Sequence, residues 1–218
     1  MDLKRFLYYQ MEALIGIRGS DFVLLAADRR AARSIVVMKA TEDKFRELGK
    51  TLAVAYSGES GDAVKFAEFL QGNIKLYEMR NEVPLSPSAA AQFTRRQVAD
   101  SLRSRSPYQV NMLLGGCIPS DQPRAPSEGE DLVERPGLYW IDYLGTLTEL
   151  PFAAHGYASY FVLSLMDRHY RPDMTLEEGL GLLKMCLAEL KTRFIVNLPD
   201  FSVKIVRPTG IETMVMVV

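Results

Sequence analysis

Residues 11–30, MEALIGIRGSDFVLLAADRR, decide the fold, because two short apolar runs flank a turn there. The runs at 13–17 and 22–27 have the length and the boundaries of buried strands. Between them, Gly19 can adopt the positive φ that a tight turn often requires. The stretch therefore predicts a β-hairpin with buried strands.

Other segments with the same character continue this pattern along the chain. The sequence predicts that the hairpin extends into a meander through strands at 34–38 and 51–56, and that further strands lie at 109–114, 138–144, 201–206 and 211–217. Apolar residues recur at helical spacing in four other segments, at 62–77, 87–104, 157–170 and 173–193. The third of these helices is mostly apolar, so we expect it to lie deep in the protein.

Two of the helices carry start signals in the sequence. Ser86 precedes Pro87, which places a capping residue before a proline at the first helical position. Thr175 and Glu178 have the spacing of a capping box. The order of elements is a meander, two helices, hairpins, two helices and closing strands. Both faces of the sheets need cover, so the sequence predicts an α+β fold, a four-layer αββα sandwich.

Composition excludes several classes of protein. The chain has 218 residues, of which 48% are hydrophobic, and 26 basic against 27 acidic side chains give a net charge of −1. This balance argues against a strongly basic nucleic-acid binder and against an acidic tail protein. The longest uncharged stretch, at 150–166, is interrupted by Pro151 and Gly156, so we expect no membrane span. We expect a soluble, intracellular protein with one main domain.

Metal and cofactor sites are not predicted. His155 and His169 are the only histidines, and neither has a second ligand at metal-binding spacing. Cys117 and Cys186 cannot form a disulfide framework, and we interpret them as core thiols in a reducing compartment. The segment 58–62 follows a strand and opens a helix, but it lacks the lysine and the spacing of a phosphate-binding loop.

One basic patch is predicted on the second helix. It consists of Arg95, Arg96, Arg103 and Arg105. Because no aromatic residues alternate with these arginines and the net charge is near zero, a solvated face or a protein interface is favoured over nucleic-acid binding.

Several longer runs, read together, resemble a known family. They are MEALIGIRGSDFVLLAADR at 11–29, GDAVKFAEFLQGNIKLYEMRN at 61–81, PLSPSAAAQFTRRQVADSLRSRSPYQVNMLLGG at 84–116, PFAAHGYASY at 151–160 and LKTRFIVNLPDFSVKIV at 190–206. On these runs the chain resembles the β-type subunits of the 20S proteasome, which belong to the N-terminal-nucleophile hydrolase superfamily. That fold is an αββα sandwich.

The resemblance also implies the position of a catalytic constellation. In the family, an N-terminal threonine freed by propeptide cleavage is the nucleophile and its own α-amine is the base. Asp28 matches the family aspartate, Lys44 the lysine, and Gly58 the glycine of the oxyanion hole. The threonine position falls on Glu12, and the downstream serine position falls on Tyr157.

Further departures from the family pattern surround this constellation. Met11 stands where the glycine of the processing site would be, and FIVNLPDF at 194–201 replaces the family's Asp-x-x-Ser-Gly-Gly element. The resemblance therefore implies a non-catalytic subunit of a threonine-type endopeptidase complex, with Asp28 and Lys44 as a structural ion pair. Its partners would be neighbouring β subunits, α-ring subunits, the opposite β ring and assembly chaperones, in cytoplasm and nucleus, with no cofactor, nucleic acid or membrane.

Residues 11–218 are expected to form a single proteasome β-type domain with an exposed hairpin loop at about 118–137, because this segment is rich in proline, glycine and charge. Residues 1–10 are either an extension or precede a true start at Met11.

Two other functions remain open. One is an active N-terminal-nucleophile amidohydrolase that is cleaved before Ser20 or Ser34, and the other is a free-standing interaction module with an RNA-facing arginine patch.

Overall fold

The computed structural model describes residues 11–33, 36–119 and 136–218. The proposed extension at 1–10 and nearly all of the predicted loop at 118–137 lie outside these ranges. Among the residues that the structure describes, the strands are β1 Leu14–Arg18, β2 Val23–Asp28, β3 Ala31–Arg33, β4 Val36–Lys39, β5 Phe45–Gly49, β6 Leu52–Gly58, β7 Val110–Gly116, β8 Gly137–Ile141, β9 Leu147–Glu149, β10 Phe152–His155, β11 Asp200–Arg207 and β12 Gly210–Val217. The helices found in the same described ranges are α1 Ser60–Asn81, α2 Pro87–Ser101, α3 Ser159–His169 and α4 Leu176–Arg193.

Two antiparallel five-stranded sheets form the centre of the protein. The first has the order β10-β1-β2-β11-β12 and the second the order β5-β6-β7-β8-β9, while β3 and β4 form a separate ribbon. Helices α3 and α4 pack on the first sheet, and α1 and α2 pack on the second. The four-layer αββα sandwich predicted from the sequence is confirmed.

Apolar side chains fill three layers between these elements. One core lies between the first sheet and α3 and α4, a second between the two sheets, and a third between the second sheet and α1 and α2. Strand β2 contributes to two of them, since Leu24 and Ala26 face the helices while Val23 and Leu25 face the other sheet. This alternation explains why the strand is a continuous apolar run.

The start signals of both capped helices are confirmed. The Ser86 hydroxyl accepts a hydrogen bond from the backbone N–H of Ala89 at 3.2 Å. The Thr175 hydroxyl accepts from Glu178 N–H, and the Glu178 carboxylate accepts from Thr175 N–H in return. These bonds satisfy amide groups that the first turn of a helix leaves without intrahelical partners.

Several predictions about the elements were wrong. The N-terminal strands do not form one meander, because β1 and β2 lie in the first sheet while β5 and β6 begin the second. Strands β3, β5, β9 and β10 were not predicted, since they are short or carry charges that interrupt an apolar pattern. Helix α2 ends at Ser101 rather than 104. Helix α3 lies in an outer layer with only Val162 and Met166 buried, so it is not deep.

The strands on either side of the predicted loop are sheet neighbours, as expected. Strands β7 and β8 pair antiparallel, and the last residue of one, Gly116, faces the first residue of the other, Gly137. The second sheet therefore holds both ends of this connection in place.

Candidate functional site

Four of the five residues that the resemblance singled out meet where strands of both sheets end. Glu12 lies two residues before β1, Asp28 ends β2, Lys44 immediately precedes β5 and Gly58 ends β6. Two of these elements belong to the first sheet and two to the second. The sandwich thus brings together residues that are up to 46 positions apart in the sequence.

Lys44 is at the centre of the cluster. Its Nζ lies 2.8 Å from Glu12 Oε1 and 2.9 Å from each carboxylate oxygen of Asp28. The Lys44 side chain is only 4% exposed and that of Asp28 2%, whereas the Glu12 side chain is 24% exposed. A buried ammonium requires such partners, because an unpaired charge is costly to remove from water.

Asp28 ties the end of β2 to the residues around it. Its Oδ1 accepts a hydrogen bond from Ala13 N–H at 2.9 Å, and its Oδ2 accepts from Arg30 N–H at 3.1 Å. With Lys44 as a third partner, the buried carboxylate is well satisfied. Because Ala13 follows Glu12 directly, this bond also fixes where the Glu12 side chain starts.

Glu12 completes the cluster by contacting a backbone amide. Its Oε2 accepts a hydrogen bond from Gly58 N–H at 2.9 Å. Gly58 has a φ of 135°, and a Cβ at this position would lie 2.1 Å from the carbonyl oxygen of Gln109. Only glycine fits this backbone, so the direction of the Gly58 N–H is fixed by the fold.

The charges in the cluster are two carboxylates and one ammonium. Burial raises the pKa of Glu12, and the Asp28 carboxylate adds to this effect, while Lys44 and the Gly58 N–H oppose it. Burial by itself would lower the pKa of Lys44, but the adjacent carboxylates of Glu12 and Asp28 together raise it. Lys44 is therefore charged at neutral pH and cannot act as a base there.

Tyr157 does not join the other four residues through any hydrogen bond or ion pair among the described residues. Its ring stacks against Tyr160 at the start of α3, with a centroid distance of 6.3 Å.

By contrast, the segment at 194–201 does reach the cluster, because Phe201 pairs with Asp28 across β11 and β2. Asp200 also forms an ion pair with Arg29 at 2.8 Å. Sequence reasoning did not predict this second pair, which links residues 171 positions apart.

The remaining candidate groups lie away from this cluster or are buried in the core. Burial raises the pKa of both Cys117 and Cys186 to about 12, which makes them unreactive core thiols. Burial lowers the pKa of His155 to about 4, and its Nε2 is 3.0 Å from the Met112 carbonyl oxygen. Within the described ranges, no group of three or more His, Cys, Asp or Glu side chains is arranged to hold a metal ion.

The four arginines do not share one helix face. Arg95 donates to the carbonyl of Gly145 and Arg96 pairs with Asp100, but Arg103 and Arg105 lie beyond the end of α2. In the described part of the chain, no helix has both the length and the apolar character that crossing a membrane requires.

Comparison with known proteins identifies relatives across nearly the whole chain. A family model described as proteasome subunit matches residues 11–126 and 128–206. A probable proteasome subunit beta type-4 of Neurospora crassa is 48% identical over 201 residues, which cover 92% of this chain and 93% of that protein. Proteasome subunit beta type-4 of Saccharomyces cerevisiae is 46% identical, with 93% and 96% covered. Proteasome subunit beta type-2-B of Arabidopsis thaliana is 43% identical, with 92% and 94% covered.

Proposed function

This chain belongs to the proteasome subunit family as a β-type subunit of the 20S core, and on that premise we propose that it is a non-catalytic, structural member of the β ring. Its resemblance to proteasome subunit beta type-2 favours the fourth position of that ring. Its task is then to complete the sealed chamber in which other β subunits cleave proteins delivered by the ubiquitin- and ATP-dependent pathway.

The observation that carries this proposal is the position of Glu12. The side chain at the family's threonine position is a carboxylate that is paired with Lys44 at 2.8 Å. A carboxylate cannot replace the hydroxyl in the family's mechanism, and an uncleaved Met11–Glu12 bond leaves an amide nitrogen where the family has a basic amine. Loss of a nucleophile from a constellation of this kind costs many orders of magnitude in rate.

The geometry around Glu12 supports the same conclusion. Stabilising an oxyanion requires a backbone N–H that is aimed at the developing charge. The Gly58 N–H is already bound to Glu12 Oε2 at 2.9 Å. Asp28 and Lys44 then have a structural role, since they link the end of β2 in the first sheet to the segment that begins β5 in the second.

The competing possibility of an enzyme cleaved at another residue has less support. Ser20 lies between β1 and β2, so cleavage before it would separate β1 from the chain. Strand β1 is an interior strand of the first sheet, where it pairs with both β10 and β2. Ser34, the other proposed cleavage site, lies outside the described residues.

A threonine-directed epoxyketone tests the proposal directly. Core particles are purified through an affinity tag on this chain, treated with the inhibitor and resolved into subunits by mass spectrometry. We expect adducts on other β subunits of the same particles, which serve as the internal control, and none on this chain. An adduct on this chain would show that it is catalytic.

The proposal also extends to partners and location. Neighbouring β subunits, the α ring, the opposite β ring and assembly chaperones are the expected partners, in cytoplasm and nucleus. Gel filtration of a cell extract tests this part, because an assembled subunit elutes with a large multi-subunit particle. Elution at the size of the single chain, 24.5 kDa, would instead favour a free-standing interaction module.

A further inference from the structure

The contacts of Glu12 have the form of a ligand in a binding site. We propose that the Lys44 ammonium and the Gly58 N–H form a site for a monocarboxylate, which the native chain fills with its own Glu12 side chain. When that side chain is shortened, the site takes a small free carboxylate from solution. This inference rests on the proposed function for one point, namely that Glu12 is retained in the mature chain.

Two donors from different segments bind the two oxygens of one carboxylate. Glu12 Oε1 lies 2.8 Å from Lys44 Nζ, and Oε2 lies 2.9 Å from Gly58 N. Each oxygen therefore has its own charged or polar donor, as in the binding of a carboxylate ligand.

Both donors are held in place by groups other than Glu12. Lys44 Nζ is bound by both oxygens of Asp28, each at 2.9 Å. The Gly58 backbone is fixed by its φ of 135° and by its close approach to Gln109. The adjacent Glu59 N–H also donates to the Gln109 carbonyl at 2.9 Å. The site should therefore keep its shape when the Glu12 side chain is removed.

The surrounding charges select the class of ligand. Asp28 is only 2% exposed and shares Lys44, so a second negative charge on the ligand would be repelled in a mostly buried space. An amide is also disfavoured, because its NH₂ group would face one of the two donors. The expected ligand is therefore a singly charged carboxylate. The Glu12 side chain is 24% exposed, which gives such a ligand a route from solvent.

The length of the missing side chain predicts which carboxylate fits. Glu12→Gly removes the whole side chain, which has the size of propionate, whereas Glu12→Ala leaves the β-carbon and removes a fragment the size of acetate. We expect propionate to stabilise the glycine variant more than acetate does, and the order to reverse in the alanine variant. For a Kd of about 10 mM, 100 mM ligand raises the folding equilibrium constant about tenfold.

Urea unfolding followed by Trp140 fluorescence measures this effect, because Trp140 is the single tryptophan. Sodium chloride at equal ionic strength corrects for screening. Glu12→Gln is the matched control, since its amide fills the space and should prevent rescue. The double variant Glu12→Gly with Lys44→Met lacks one of the two donors and should also show no rescue.

Equal responses to acetate, propionate and chloride in both shortened variants would overturn the inference. If the glycine variant does not fold alone, recovery of its folded fluorescence on refolding with 100 mM propionate gives the same information, and failure to recover counts against the site. The outcome is independent of the epoxyketone experiment, because rescue concerns the Glu12 variants and labelling concerns the native chain. A failed rescue therefore leaves the proposed function intact.

Discussion

Replacing Lys44 with methionine removes the one cation of the buried cluster while keeping most of its volume. The change leaves Glu12 and Asp28 without the ammonium that now lies 2.8 and 2.9 Å from them. Asp28 keeps its bonds to the N–H groups of Ala13 and Arg30, so its carboxylate is not left entirely unsatisfied. Breaking a buried pair by removing one partner typically costs about 3–5 kcal/mol, and we expect a loss of folding free energy in that range.

The matched control is Lys39→Met. Lys39 pairs with Glu42 at 2.7 Å, but its side chain is 57% exposed. An ion pair in contact with water contributes about 0–1 kcal/mol, so this variant should be nearly as stable as the native chain. Urea unfolding at pH 7 with linear extrapolation measures both free energies.

The pH dependence gives a second test of the same change. Without Lys44, two adjacent carboxylates repel each other at neutral pH. Protonation of Glu12, whose pKa is raised by burial and by the Asp28 carboxylate, relieves the repulsion. The deficit of Lys44→Met relative to the native chain should therefore shrink between pH 7 and pH 5. A loss below 1 kcal/mol that matches the Lys39→Met control and does not change with pH would refute this account of the cluster.

Three further changes test other parts of the structure. Burial lowers the pKa of His155 in the folded protein from 6.5 to about 4. The contribution of the neutral imidazole to the folding free energy is therefore complete above pH 6.5 and is lost as the pH falls towards 4. Between pH 7.5 and 5, we expect the native chain to lose about 2 kcal/mol more folding free energy than His155→Gln, as measured by urea unfolding. Gly58→Ala should lower the folding free energy by about 1–3 kcal/mol or more, because alanine is strained in this backbone conformation. Gly61→Ala is the control, since a Cβ at Gly61 would have nothing within 4 Å, and thermal unfolding should show it to be neutral or stabilising. The double variant Met11→Gly with Glu12→Thr should remain unlabelled by the epoxyketone in assembled particles, because Tyr157 and the segment at 194–201 do not supply the family's supporting groups; labelling would contradict this.

The four layers could be predicted because apolar runs and helix caps are local signals. Thr175 and Glu178 are three residues apart, and their reciprocal bonds depend on little beyond the first turn of α4. Assigning strands to sheets was harder. The sequence of a strand that is apolar on both faces, such as β6, does not indicate which strands pair with it. The predicted meander therefore placed β6 beside the wrong strands. Strand β5 was not predicted because Arg46 and Glu47 interrupt its apolar pattern while forming ion pairs with Glu68 and Lys204.

The site was predicted only in part. Family resemblance identified Asp28, Lys44, Gly58 and the substitution at Glu12, and the structure places these four together. The bond from Gly58 N–H to Glu12 could not be predicted, because it depends on how two sheets align residues that are 46 positions apart. Resemblance also suggested Tyr157, but its ring stacks against Tyr160 instead.

The peptide bond between Met11 and Glu12 provides the most direct test of the central claim, that this subunit carries no nucleophile at its chain end. The chain can be isolated from assembled core particles and mapped by mass spectrometry of its intact form and its peptides. The account predicts recovery of a peptide in which this bond is uncut and Glu12 keeps an amide nitrogen. A mature chain that begins with a serine or threonine would contradict it.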